Sequence, residues 1–163
     1  MIKLIKPSIT FKSVEDELKE IFLSGQFTQG KNVEIFKESL KNYINVKYIG
    51  LTTSATTALS LSLRVMGVGP GDKVAVSDYS WPASSNVIEE IGATPIFIDI
   101  DPLTFNMCPN DLDNKIDSGC SAVIFVDTFG IHKGSDVKKG IRMMGIFEYG
   151  YGHFPRKENF IFI

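Results

Sequence analysis

The sequence predicts an α/β fold in which helices cover both faces of a mostly parallel sheet, a three-layer α/β/α arrangement. From Val46 onward, short apolar segments alternate with helix-like segments, which is typical of βαβ units. Before that point, two segments have helical periodicity and neither is followed by a strand of its own. We therefore divide the chain into an N-terminal helical arm (1–45), a layered domain (46–130) and a tail (131–163).

Composition places the chain among ordinary soluble globular proteins. It has 163 residues, of which 44% are hydrophobic, and a net charge of -2. This charge gives no electrostatic reason to expect nucleic acid or an anionic membrane as partner. No apolar run approaches the roughly 20 residues that span a bilayer, and the N-terminus is too short and too charged for a secretory signal. We expect a cytoplasmic protein.

The cysteines indicate neither a metal site nor a disulfide framework. Cys108 and Cys120 have no CxxC spacing and no cluster of histidines nearby. We interpret both as structural or incidental thiols and predict no metal.

The arm consists of two predicted amphipathic helices. Ser13 followed by Asp16 resembles a loose capping box that opens the first helix, and Gly25 ends it. A glycine-bounded loop (25–30) leads to the second helix, whose apolar residues Val33, Phe36, Leu40 and Tyr43 share one face. We expect this arm to pack onto the domain or onto a partner subunit.

The layered domain contains four predicted strands. They lie near Tyr48 to Leu51, at Lys73–Ser77, at 94–99 and at 121–127. The first is followed by a helix from about Ser54 to Met66. The second is followed by a helix with Pro82 in its first turn that ends at Gly92, and a short capped helix near Pro109 precedes the last strand.

The turn from the first strand into its helix predicts an anion site. The hydroxyls of Ser54, Thr56 and Thr57 and the first N–H groups of the helix converge on one spot, which suits a phosphate. The alternative is an ordinary N-cap, since Ser and Thr are favoured there without any ligand.

Trp81 lies in the loop after the second strand. In open α/β sheets ligands bind at the carboxyl ends of the strands, so the segments at 54–57, 80–81, 99 and 127–130 are expected on one rim. The large face of Trp81 suits stacking on a flat ring, whereas the alternative is that it plugs the edge of the core. A phosphate cradle and an aromatic platform together suit a phosphorylated aromatic cofactor.

Six sequence blocks resemble the DegT-type (DegT/DnrJ/StrS) sugar aminotransferases in order and spacing, over roughly residues 7 to 130. These are pyridoxal-phosphate enzymes with the aspartate aminotransferase fold, so the resemblance implies that residues 46–130 form part of a fold-type I large domain. It also implies that pyridoxal 5'-phosphate is the cofactor, that Ser54, Ala55 and Thr56 bind its phosphate, and that Trp81 stacks on its pyridine ring. The blocks are Gln29-Gly30, 54–59, 69–72, 80–86, 92–99 and 125–130.

The family resemblance implies amino transfer from an amino acid, commonly glutamate, to a keto group on a nucleotide-linked sugar. It implies a homodimer with the active site at the interface, to which the loop at 25–30 is expected to contribute. The Schiff-base lysine and the carboxylate that holds the pyridine nitrogen protonated lie after the block ending at Gly130 in this family.

The sequence departs from the family pattern after Gly130. We recognise neither of these segments in residues 131–163, and we nominate none of Lys133, Lys138, Lys139 and Lys157, so no catalytic residue is assigned. The tail is typical of a shifted reading frame or an abrupt truncation, with a genuine divergent ending as the alternative. A sheet that lacks its later strands would leave an unpaired edge at or near the fourth strand.

Three functions are consistent with these observations. The first, which we favour, is a truncated relative of a sugar aminotransferase that is inactive as this chain. The second is an active transaminase completed by unrecognised residues or by a second chain. The third is a protein that binds a phosphorylated ligand without chemistry.

Overall fold

The computed structural model describes residues 9–116, 119–128, 142–147 and 160–162 of the chain. The chain divides into two compact units, Met1–Asn45 and Val46–Ile163. The helices are α1 (Glu15–Ser24), α2 (Lys31–Ile44), α3 (Ala55–Val65), α4 (Ala83–Glu90) and α5 (Pro109–Lys115). The strands are β1 (Tyr48–Gly50), β2 (Lys73–Ser77), β3 (Thr94–Ile98), β4 (Cys120–Asp127), β5 (Arg142–Phe147) and β6 (Phe160–Phe162).

The first unit contains α1 and α2, as the helical periodicity predicted. The predicted capping box at its start is wrong, because Ser13 belongs to a short 3-10 helix and its hydroxyl donates to the carbonyl of Thr10. Helix α1 instead follows Val14 and ends at Gly25, whose φ of 69° is in the left-handed region that glycine adopts without strain. Neither helix contains a buried residue.

A four-stranded parallel sheet in the order β3-β2-β4-β5 forms the centre of the second unit. Strands β2 and β4 are paired on both sides and are almost entirely buried, which agrees with their unbroken Val, Ala and Ile runs. Strand β3 is at one edge and carries Pro95, a residue without an N–H group that edge positions tolerate. The prediction of a mostly parallel sheet is confirmed.

Helices cover both faces of this sheet and give it two separate cores. On one face, α3 and α4 pack against side chains of β2 and β4. On the other face, α5 packs against β2, β3 and β4. The first core comprises Leu59, Leu63, Val68, Val74, Val76, Val87, Ile88, Ile91, Ala93, Ala122 and Ile124. The second comprises Ala75, Ile98, Met107, Leu112, Ile116, Cys120 and Val123.

Two expectations about the sheet are wrong. Strand β1 is not part of the four-stranded sheet, because it pairs in parallel with β6 in a separate two-stranded sheet. The predicted free edge at the fourth strand is also absent, since β5 pairs with β4 from Ala122 to Asp127. Periodicity identifies strands but carries no information about which strands are neighbours, so the tail's contribution to pairing was missed.

Asp72 ties together the turn before β2 and the beginnings of two other strands. Its carboxylate accepts a hydrogen bond from the Gly69 N–H at 2.9 Å and another from the Ser121 hydroxyl. Its backbone carbonyl accepts from the Thr94 N–H at 2.9 Å. Asp72 therefore connects the loop before β2 to the amino ends of β3 and β4 by hydrogen bonds.

Replacement of Asp72 should destabilise the second unit. We expect Asp72→Ala to lower the free energy of unfolding by about 2–3 kcal/mol, because two hydrogen bonds to a charged acceptor are lost. Ser121→Ala is the matched variant, and it should cost about 1 kcal/mol since it removes one of the two. Urea unfolding of both variants measures the difference. Equal losses for the two variants would show that the Gly69 contact contributes nothing.

Candidate functional site

The N-terminus of α3 forms a capped and exposed turn. The Ser54 hydroxyl accepts a hydrogen bond from the Thr57 N–H at 3.2 Å, and the hydroxyls of Ser54 and Thr57 lie 3.0 Å apart. The Ser54 carbonyl accepts the first helical bond, from Ala58 N–H, at 3.0 Å. Thr52 donates its hydroxyl to the same carbonyl at 2.9 Å and so fixes the approach of the chain. The ordinary N-cap considered from the sequence is therefore present.

This cap leaves the helix terminus open to a ligand. Ser54, Ala55, Thr56 and Thr57 are all exposed. The N–H groups of the first helical residues have no acceptor inside a helix, and they carry the positive end of the helix dipole. Because Ser54 caps only Thr57, the N–H groups of Ala55 and Thr56 point outward beside two exposed threonine hydroxyls. The turn can accommodate an anion of phosphate size without losing its cap.

Trp81 is 73% exposed and precedes Pro82, the N-cap residue of α4. This exposure rules out the alternative that Trp81 plugs the edge of the core. Its carbonyl accepts from the Ser84 N–H at 3.0 Å, and the hydroxyls of Ser80 and Ser84 lie 2.8 Å apart. The backbone around the ring is thus fixed from the helix side, while the ring itself is free to stack on a ligand.

Helices α3 and α4 pack side by side on the same face of the sheet. Their last turns are adjacent, since Arg64 Nη2 lies 3.9 Å from Glu90 Oε1, and both helices contribute to one apolar core. Two helices that pack along one another and end together also begin at the same end of their layer. Ser54 precedes the first turn of α3, and Trp81 precedes the first turn of α4. The packing of the two helices therefore relates the two candidate residues, whereas the sheet does not, because β1 lies outside it.

The carboxyl ends of β2, β3 and β4 form one rim, as expected for parallel strands. The rim brings together Trp81 from the loop after β2, the exposed Asp99 after β3 and the buried Asp127 at the end of β4. Ser77, the last residue of β2, is buried, and within the described part of the chain its hydroxyl has no hydrogen-bond partner. Ser54 is not linked to this rim through the sheet, because β1 is outside it; Ser54 instead precedes α3, which packs on one face of the sheet.

Sequence reasoning missed a contact between the loop after β3 and the end of β4. The side-chain oxygen of the buried Asn106 accepts from the Thr128 N–H at 3.0 Å, and the Thr128 hydroxyl donates to the Phe105 carbonyl at 3.1 Å. The loop also places the Phe105 ring 5.4 Å from the ring of Tyr79, measured between centroids. No spacing rule pointed to this pairing, because its partners are 22 residues apart along the chain.

An ion pair on α5 fixes the end of β3. Asp111 Oδ2 accepts from the Asp99 N–H at 2.7 Å and lies 2.8 Å from Lys115 Nζ, which also donates to the Phe97 carbonyl at 3.0 Å. The hydrogen bond from Lys115, followed by that from the Asp99 N–H, lowers the pKa of Asp111 below its ordinary value of 3.8. The same pair raises the pKa of Lys115 above 10.5.

The part of the chain that the structure describes contains neither a metal centre nor a membrane-spanning helix. No group of three or more His, Cys, Asp or Glu side chains there is arranged to hold a metal ion. No helix there combines the length and the apolar character needed to cross a membrane.

The sequence pattern of the DegT/DnrJ/EryC1/StrS aminotransferase family matches residues 9–139. The chain belongs to this family. It is 33% identical over 127 residues to the 3-oxo-glucose-6-phosphate:glutamate aminotransferase of Bacillus subtilis, a match covering 76% of this chain and 29% of that protein. It is 29% identical over 117 residues to the UDP-2-acetamido-2-deoxy-3-oxo-D-glucuronate aminotransferase of Pseudomonas aeruginosa, covering 72% of this chain and 33% of that protein.

Solved structures agree with the sequence match. The PMP form of Streptococcus pneumoniae Spr1654 superposes with a TM-score of 0.73 at 34% identity, over 81% of this chain and 33% of that one. The fold is therefore that of the fold-type I pyridoxal-phosphate aminotransferases, of which this chain covers part of the large domain. The chain spans about a third of the length of the relatives it matches.

The Asp111–Lys115 pair should respond to acid. Because the folded pKa of Asp111 is lowered, its stabilising contribution is present above the ordinary value of 3.8 and is lost as the pH falls through the folded pKa. A carboxyl-carbon NMR titration should give an Asp111 midpoint below 3.8. Lys115→Met should raise this midpoint, whereas Lys115→Arg should keep it low. A midpoint that does not move in Lys115→Met would show that Lys115 is not the main cause.

Proposed function

We propose that this chain provides the phosphate-binding and ring-stacking part of the pyridoxal 5'-phosphate site of a sugar aminotransferase. The observations that carry this proposal are the open N-terminus of α3 and the exposed ring of Trp81, which precede two helices that pack on the same face of the sheet. Membership of the aminotransferase family supports it.

The phosphate would lie against Ser54, Ala55 and Thr56. The N–H groups of Ala55 and Thr56 would donate to phosphate oxygens, and the positive end of the α3 dipole would favour the negative charge. The Thr56 hydroxyl adds a donor next to these N–H groups. The Ser54 hydroxyl, already paired with Thr57, stiffens the turn so that its donors are oriented before a ligand arrives.

The pyridine ring of the cofactor would stack on Trp81. An indole face provides a large contact area, and offset stacking of aromatic rings contributes about 0.5–1.5 kcal/mol beyond the burial of area. The hydrogen bonds of the Trp81 carbonyl and of Ser80 to Ser84 hold the backbone at this point, so the ring is presented from a fixed position.

When bound, pyridoxal phosphate supplies an electron sink for amino transfer, while the protein supplies orientation and electrostatics. We propose that the complete activity takes an amino group from an amino acid, commonly glutamate, to the keto group of a nucleotide-linked sugar. The names of the two curated relatives support this, since one is a glutamate aminotransferase and the other acts on a UDP-linked keto-sugar. We further propose a cytoplasmic homodimer, in line with the family resemblance.

We propose that residues 1–163 do not transaminate on their own. The support is that residues 131–163 contain no segment recognised as the one that carries the covalent lysine or as the one that carries the ring-nitrogen carboxylate. Lysines at 133, 138, 139 and 157 lie outside the described residues. Phosphate binding and ring stacking need none of them.

The phosphate site can be tested on Thr56. We expect Thr56→Val to weaken pyridoxal-phosphate binding about tenfold, because one charge-assisted hydrogen bond is lost while the side-chain volume is kept. Thr53→Val is the matched control, since Thr53 is also exposed but precedes the cap. Quenching of Trp81 fluorescence measures binding, and Trp81 is the chain's single tryptophan. Equal affinities for both variants would refute the assignment of Thr56.

The absence of transaminase activity has a separate test. Borohydride reduction with excess pyridoxal phosphate, followed by peptide mass spectrometry, should give no specific lysine adduct, although the cofactor still raises the thermal midpoint. A reduced adduct on one lysine would instead show that the chain contains a working covalent residue and would support an active transaminase. No thermal shift, together with no quenching of Trp81, would refute the cofactor site itself.

A further inference from the structure

The loop at 99–108, here called the strap, connects β3 to α5 and crosses the end of another strand. Its residue Asn106 is bonded to the N–H of Thr128, which directly follows β4. In the sheet, β2 lies between β3 and β4. A loop that leaves β3 and is fastened to the residue after β4 must therefore pass the carboxyl end of β2. The segment that leads from β2 to Trp81 begins at this same carboxyl end of β2.

The strap also contacts the segment that leaves β2. The Asp78 N–H donates to the Ile98 carbonyl at 3.0 Å, at the point where the strap begins. The Tyr79 ring packs at a tilt of 41° against the ring of Phe105, on the strap. Asp78 and Tyr79 come three and two residues before Trp81, so the strap restrains the chain immediately ahead of it.

Phe105 has an unusual backbone conformation that depends on the same contacts. Its φ of 59° lies in the left-handed region, which costs a non-glycine residue roughly 1–2 kcal/mol. Its carbonyl accepts the Thr128 hydroxyl and its N–H donates to the Asp101 carbonyl at 2.8 Å. The Asp101 N–H in turn donates to the Asn106 carbonyl at 2.8 Å. This conformation turns the ring towards Tyr79, and strain of this kind persists only where the surroundings enforce it.

We propose that the strap positions Trp81 and that Asn106 is its positioning residue. The start of α4 holds the chain on both sides of Trp81, since the Ser84 N–H donates to the Trp81 carbonyl and the Ser84 hydroxyl lies 2.8 Å from that of Ser80. Ahead of Ser80, the strap provides a further restraint through Tyr79. Asn106 acts by holding the strap against the end of β4, through the bond that its side-chain oxygen accepts from the Thr128 N–H. The role of Trp81 in cofactor binding rests on the proposed function, whereas its restraint by the strap does not.

The chain's single tryptophan makes this inference directly measurable, because all of its intrinsic tryptophan fluorescence comes from Trp81. Steady-state anisotropy and acrylamide quenching report the mobility of the ring without any ligand. Asn106→Ala removes the side-chain acceptor, and Asn110→Ala makes the same chemical change at an exposed position on α5. Tyr79→Ala removes the ring that meets Phe105, and Tyr79→Phe keeps it. All variants are made in the full 163-residue chain.

We expect Asn106→Ala and Tyr79→Ala to lower the anisotropy of Trp81 and to raise its acrylamide quenching. Both should also lower the affinity for pyridoxal phosphate, measured by the quenching of Trp81, about fivefold. This is the effect of losing roughly one hydrogen bond or one aromatic contact. Asn110→Ala and Tyr79→Phe should match the unmodified chain in all three measurements. Far-ultraviolet circular dichroism confirms that each variant is folded, and the exposed position of Tyr79 keeps Tyr79→Ala informative if Asn106→Ala unfolds.

Unchanged anisotropy in folded Tyr79→Ala would overturn the inference, as would equal anisotropy in Asn106→Ala and Asn110→Ala. A loss of anisotropy without any pyridoxal-phosphate quenching in the unmodified chain would support the strap and refute the proposed cofactor site. The two proposals can thus fail independently.

Discussion

The parallel hydrogen-bonded sheet β3-β2-β4-β5 is the constraint on which the rest of the second unit depends. Its two inner strands are paired on both sides and carry apolar side chains on both faces, so they require a helical layer above and below. Helices α3 and α4 cover one face and α5 covers the other. Because all four strands run in one direction, their carboxyl ends meet at one rim, and every loop that leaves the sheet there is available for binding.

The candidate site combines elements that are positioned in two ways. Trp81 follows β2 at the rim, whereas Ser54 to Thr56 belong to the start of α3, which packs with α4 on one face of the sheet. The N-cap at Ser54 was considered from the sequence as an alternative to a phosphate site. The geometry shows that the two are compatible, since the cap uses the Thr57 N–H and leaves the preceding N–H groups pointing outward.

Buried polar groups are concentrated at the carboxyl ends of the strands. Of the six buried polar or charged residues in the described part of the chain, Ser77, Asp127 and Thr128 lie at or next to the ends of β2 and β4, and Asn106 is bonded to one of them. Burial of polar groups is costly unless they are bonded. Asn106 and Thr128 offset this cost by bonding to each other, whereas the Ser77 hydroxyl has no partner among the described residues. Apart from Asp99, the strap contains no residue of the six sequence blocks that carry the family resemblance.

The sequence by itself determined the order and type of the helices and strands from α1 to β4, the parallel character of the sheet and the family. Alternating apolar segments, turn residues and the blocks from Gln29 to Gly130 carry this information locally. Strand neighbours were decided only by the tertiary structure: β1 pairs with β6, and β5 covers the edge expected to be free at β4. The strap was also decided there, because Asn106 and Thr128 meet only after β2 has been placed between β3 and β4. Periodicity reports which face of an element is buried, whereas these contacts join residues that are distant in the chain and follow no period.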